Sequence, residues 1–99
     1  MDLEIKKDLA SNWFKMLQES ICYRIDKLEK SGVKFKSTTW KRGSKKDEGG
    51  GEYRILKNGK VFEKVGVNFS KVYGKFPKQF QKKIPGAHKE PRFWASGIS

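Results

Sequence analysis

Cysteine and histidine are nearly missing from these 99 residues, each occurring once, and no apolar run approaches the 18 or more residues of a membrane-spanning helix. Cys22 cannot close a disulfide within the chain, and its place in an apolar helical stripe reads as a small packed hydrophobe. His88 stands among Pro85, Gly86, Ala87 and Lys89, which reads as an exposed loop residue. A single histidine, with no Cys-x-x-Cys and no His-Glu-x-x-His, leaves no metal site to expect within the chain. The start lacks the charged-then-apolar pattern of a signal peptide, so the expectation is a cytoplasmic protein with no transmembrane segment. Apolar residues make up only 35%, too few for a large core, and the length allows one domain with a thin interior.

Positive charge, by contrast, is abundant: the formal net charge is +12. Residues 1–31 carry six Lys/Arg against six Asp/Glu, and the remaining 68 carry seventeen against five, so the whole excess lies in the second part. Charge segregated in this way points to an anionic partner more than to general solubility.

The segment 1–31 reads as one long amphipathic helix. Leu9, Trp13, Leu17, Ile21, Ile25 and Leu28 recur at spacings of four and three, with Ala10, Phe14 and Cys22 widening the stripe to be buried. Asp2, Glu4 and Asp8 suit the positive end of the helix dipole, Lys27 and Lys30 its negative end, and Gly32 the stop. A rod of roughly 40 Å predicts packing across a broad sheet.

Residues 33–99 form a basic, β-rich segment. VKFKSTTWKR predicts a first strand, and RGSKKDEGGGE, without an apolar residue, predicts a solvated loop. Asn58-Gly59 predicts a two-residue type I′ turn, with Leu56 opposite Val61, Ile55 opposite Phe62, Arg54 opposite Glu63 and Tyr53 opposite Lys64. The second strand of that hairpin puts Val61, Val65, Val67, Phe69 and Tyr73 on one face. Phe62, Lys64, Gly66, Asn68, Ser70 and Val72 take the other, a mixed face with room for a ligand at Gly66. Pro77 opens a short helical turn, and Arg92 to Ile98 resumes a strand. A chain ending within a buried-strand pattern is expected to be a truncated one.

Three short features bear on chemistry. The run Gly49-Gly50-Gly51-Glu52 invites a phosphate-loop reading, but the Walker spacing fails and a strand follows where that motif needs a helix, so a flexible loop is the plainer reading. Basic residues interleaved with Phe35, Trp40, Tyr53, Phe62, Phe69 and Tyr73 fit a small nucleic-acid-binding module, the alternative function. Against it, most of those rings fall on alternating positions that would be core, and no RNP-like or KH-like signature is present. A helix-mediated interaction protein, using the stripe from Leu9 to Leu28, is the third reading.

The block TTWKRGSKKDEGGGEYRILKNGKVFEKVGVNFSKVYG, with Trp40 before a basic stretch, the glycines 49–51, the Asn58-Gly59 turn and the strand Val61 to Gly74, resembles the N-terminal portion of the oxygen-dependent coproporphyrinogen III oxidases. FWASGIS at the end is similar to that family's A-x-G-x-S segment. The resemblance implies an α+β fold, a large antiparallel sheet flanked by helices, in a homodimeric enzyme of haem biosynthesis. Such enzymes convert coproporphyrinogen III to protoporphyrinogen IX, turning two propionates into vinyl groups with O2 as co-substrate and no flavin or haem. No nucleic acid enters that reading. The partner of the positive charge becomes a tetra-carboxylate macrocycle. The family's catalytic residues, and the histidine ligands of the divalent metal associated with some bacterial members, fall beyond the A-x-G-x-S segment, so no catalytic residue is expected within this chain. By position Ser99 matches the substrate-contacting serine, and Gly49, Gly50, Gly51 and Asn68 are further candidates for the cleft.

Overall fold

Asp2 caps the first helix by accepting the Glu4 N–H at 3.3 Å, and Lys30, in the left-handed region at φ 56°, ends it. Between them α1 runs over Leu3–Glu29. The computed structural model describes residues 2–99. After α1 come β1 (Lys36–Lys41), β2 (Gly49–Lys57), β3 (Lys64–Lys75), the single turn α2 (Lys78–Gln81) and β4 (Arg92–Ile98). The strands form one antiparallel sheet in the order β1-β2-β3-β4, and α1 lies across β3 and β4, giving an α+β fold.

Strand alternation assigns the two faces of the sheet. Leu56, Val67 and Phe69 point toward α1 and are buried with Cys22, which is the thin interior that the composition predicts. Burial pushes the Cys22 thiol up from its ordinary pKa, as befits a packed residue. The opposite face has no helix over it.

The buried side of α1 is turned part-way from the expected stripe: Cys22 is buried and Ala10, Phe14, Leu17, Ile21 and Ile25 are half-buried, but the stripe's other members face solvent. Leu9, Trp13 and Leu28 are 56%, 61% and 61% exposed, whereas Ser11, Gln18, Cys22 and Glu29 are buried. The reason is the chemistry of the surface below. Gln18 Nε2 donates to the Glu52 and Val67 carbonyls at 2.9 and 3.0 Å, pinning the buried side of the helix to the sheet through polar contacts. Trp13→Gln is therefore expected to change unfolding free energy by no more than about 0.5 kcal/mol, as checked by urea denaturation.

The β2–β3 hairpin also departs from the expected register. Lys57 pairs with Lys64, Leu56 with Val65 and Arg54 with Val67, so residues 58–63 form a longer loop and the Arg54–Glu63 pairing does not exist. Arg54 instead donates to Glu52 at 2.9 Å. Asn58 takes positive φ (60°) as a turn residue, but Gly59 does not, and the turn is not type I′. Glu29 decides the matter: its carboxylate accepts the N–H groups of Lys60, Val61 and Phe62 at 2.7, 3.0 and 2.9 Å, and the loop wraps around it. Val61, expected on the core face, is 60% exposed.

The glycine run is not a flexible loop. Gly49, Gly50 and Gly51 open β2, and a Cβ on any of them would collide with a carbonyl of a neighbouring strand, that of Lys71, Trp40 or Phe69 respectively. Glycine is needed there because the strands approach too closely for a side chain.

Candidate functional site: the open face of the sheet

Residues from all four strands meet on the face away from α1. Register places Trp40, Gly51, Ser70 and Gly97 in one row, and Thr38, Tyr53 and Asn68 in the next. Asn68 and Ser99 continue that second row as a hydrogen-bonded pair, with Asn68 N–H donating to Ser99 O at 2.7 Å and Ser99 N–H to Asn68 O at 3.0 Å. A third row holds Lys36, Ile55 and Gly66. The result is a floor of small side chains rimmed by rings. It forms an open hollow of about 680 Å³ lined by Trp40, Tyr53, Ile55, Asn68, Ser70, Gly97 and Ser99, a volume in the usual range for small-molecule sites.

Of the residues singled out in the sequence, Ser99 and Asn68 come together at this hollow. Gly51 stands in the first row of the floor between Trp40 and Ser70, whereas Gly49 and Gly50 lie outside it. They border a second hollow of about 470 Å³ between α1 and the sheet, with Lys15, Glu19, Arg54 and Lys71. His88 is exposed beyond α2, away from both. Tyr53, Ser70 and Gly97 were missed as site residues. Alternation alone puts Ser70 with Asn68, but joining them to Trp40 and Gly97 requires the registers of β1 and β4.

The first two rows of the floor hold no charged side chain. Cations stand at its margins instead, since Lys34, Lys36 and Lys57 line a hollow of about 430 Å³ that shares Tyr53 and Ile55 with it. Two rows beyond the floor at the other end, the Arg42 guanidinium lies 5.0 Å from the centre of the Phe93 ring and donates to Tyr73 O at 3.2 Å. A neutral, flat, ring-rimmed floor with ammonium groups at one margin suits a largely apolar planar molecule bearing carboxylates.

Among the described residues no three His, Cys, Asp or Glu side chains converge as metal ligands. The residues of this chain therefore do not fit a divalent ion, and no chemical step is assigned to one. Among the described residues no carboxylate or imidazole side chain lines the floor. What the site provides is shape, stacking surface and hydrogen-bonding groups.

These features define the class: an α+β sheet protein with a neutral, aromatic-rimmed hollow on its uncovered face. The model of the family "Coproporphyrinogen III oxidase" matches residues 9–99. The chain is 42% identical to the oxygen-dependent coproporphyrinogen-III oxidase of Rickettsia felis and 41% identical to that of Rickettsia akari, each match covering 94% of this chain and 35% of the relative. Identity to the Rickettsia africae enzyme of the same name is 38%, over 100% of this chain and 37% of the relative. The chain belongs to the coproporphyrinogen III oxidase family. It spans about a third of the length of these curated relatives, matching their N-terminal portion.

Proposed function

We propose that this chain supplies the substrate-bearing face of an O2-dependent coproporphyrinogen III oxidase, a cytoplasmic, homodimeric enzyme in its full-length form. The observation that carries the reading is the uncovered sheet face, whose hollow of about 680 Å³ brings Ser99 and Asn68 together between Trp40 and Tyr53. The macrocycle rests with one face on Gly97 and Ser70. Its pyrrole N–H groups find acceptors in the side-chain oxygens of Asn68, Ser70 and Ser99.

In the overall reaction each reacting arm, R–CH2–CH2–COOH, becomes R–CH=CH2 and CO2 as it loses two electrons and two protons. O2 takes these up to give H2O2, so the balance closes for each arm without another oxidant. This chain's residues hold and orient the ring and shield one of its faces from water and from random oxidation. Groups that move protons or activate the reacting arm come from polypeptide outside these 99 residues.

The isolated chain is accordingly expected to form no protoporphyrinogen from coproporphyrinogen, as read by porphyrin fluorescence after oxidation. Replacing the matching third of the Rickettsia felis relative with these 99 residues is expected to give a chimera that turns over. Turnover by the isolated chain, or a folded chimera that binds substrate but has no activity, contradicts the assignment.

A further inference from the structure

Lys34, Lys36 and Lys57 occupy one hollow, yet among the described residues none of them forms an ion pair. Lys57 faces Lys64 across the β2–β3 ladder, which adds like charge. Lysines on a strand margin can simply be solvated, but these three converge on the one margin that shares Tyr53 and Ile55 with the neutral floor. Water screens part of their mutual repulsion, and an arriving anion relieves the rest.

Position decides which anion. Lys36 is on β1 and Ser99 follows β4, so three strand spacings, about 14 Å, separate them across the sheet. A macrocycle over Asn68 and Ser70 thus has one side toward Ser99 and the opposite side toward the lysines. The reacting arms lose their negative charge as CO2 departs. An ammonium paired with such an arm would stabilise the ground state more than the transition state and slow the reaction. Ammonium groups belong against arms that keep their carboxylates.

Resting on the function proposed above, we infer that Lys34, Lys36 and Lys57 form an anchor for the carboxylate arms that survive the reaction. They thereby orient the macrocycle with its reacting arms toward the Ser99 side. They are positioning residues that act through electrostatics and take no part in bond breaking.

The test titrates the 99-residue chain with coproporphyrin III, which has four carboxylates, and with protoporphyrin IX, which has only the surviving two, following the porphyrin absorbance. Substituting Lys34, Lys36 and Lys57 together by Gln is expected to weaken binding of both porphyrins by the same factor, on the order of tenfold, and to flatten the salt dependence. The triple Arg variant is expected to bind as the unsubstituted chain does. A Gln triple at exposed Lys78, Lys82 and Lys83 makes the same change in net charge and is expected to have little effect.

Loss confined to coproporphyrin would put the reacting arms at the lysines and overturn the inference. Equal loss in the control triple, or no loss in the anchor triple, overturns it while leaving the function proposed above in place. Failure of the unsubstituted chain to bind either porphyrin overturns that function and the anchor with it. Circular dichroism of each variant ensures that a binding loss is read only on folded protein.

Discussion

Glu29→Ala is expected to lower the thermal unfolding midpoint by on the order of 10 °C. Glu29 is only 2% exposed, and its carboxylate is the sole structural acceptor for three successive N–H groups, those of Lys60, Val61 and Phe62. Removing it orphans all three at once and releases the loop from the end of α1. Glu29→Gln keeps one carbonyl oxygen but no charge and is expected to fall between the two.

The same contacts set a pH dependence. The Phe62 N–H above all, then the Ser31 hydroxyl and the Lys60 and Val61 N–H groups, lower the Glu29 pKa from 4.5 to about 2. The folded pKa lies below the unfolded one, so the stabilisation is fully present above about pH 4.5 and is lost as pH falls toward about 2. The stability gap between the unsubstituted chain and Glu29→Gln should be flat above pH 4.5 and close steadily below it. Glu90, also lowered to about 2 by its Arg92 partner, belongs to an exposed pair and adds little. A gap that persists unchanged to pH 2 would show that the carboxylate charge is not what holds the loop.

Gly97→Leu is expected to leave the fold intact and to weaken coproporphyrin III binding by roughly 100-fold. A Cβ at Gly97 meets no atom within 4 Å, so the strand tolerates a side chain. That side chain would rise from the β4 end of the row on which the ring is proposed to lie. Gly51 stands in the same row and behaves oppositely, since its Cβ would strike the Phe69 carbonyl and prise β2 from β3. Comparing the two by circular dichroism and porphyrin titration separates a glycine that keeps space for a ligand from one that lets two strands meet. Unaltered binding by Gly97→Leu would remove the floor from the account.

Much of this architecture is legible in the chain itself, and the failures share one cause. The ends of β4 follow from Arg92 to Ile98 as read, and the start of α1 from Asp2, because those signals are local, whereas α1 stops at a left-handed Lys30, two residues before the expected Gly32. The turn at Asn58-Gly59 is local too, but a carboxylate about 30 residues earlier outweighs it by offering three acceptor contacts that a two-residue turn could not use. The buried side of α1 was misjudged for a related reason. Size and apolarity favour Leu9 and Trp13, yet Gln18 reaches the Glu52 and Val67 carbonyls of the sheet, contacts across the fold that no local signal announces. Asn68 and Ser99 could each be suspected singly, but their adjacency depends on the β3–β4 register, which the approach to the chain end does not reveal.

The central claim is that the porphyrinogen ring lies on the uncovered sheet face. Amide NMR of the 99-residue chain titrated with coproporphyrin III tests it most directly, because a porphyrin ring current displaces the resonances of whatever backbone it covers. The account predicts the largest displacements at Gly51, Tyr53, Asn68, Ser70, Gly97 and Ser99, with α1 little changed. Displacements centred on α1 and the hollow beneath it, at Lys15, Glu19 and Lys71, would contradict it.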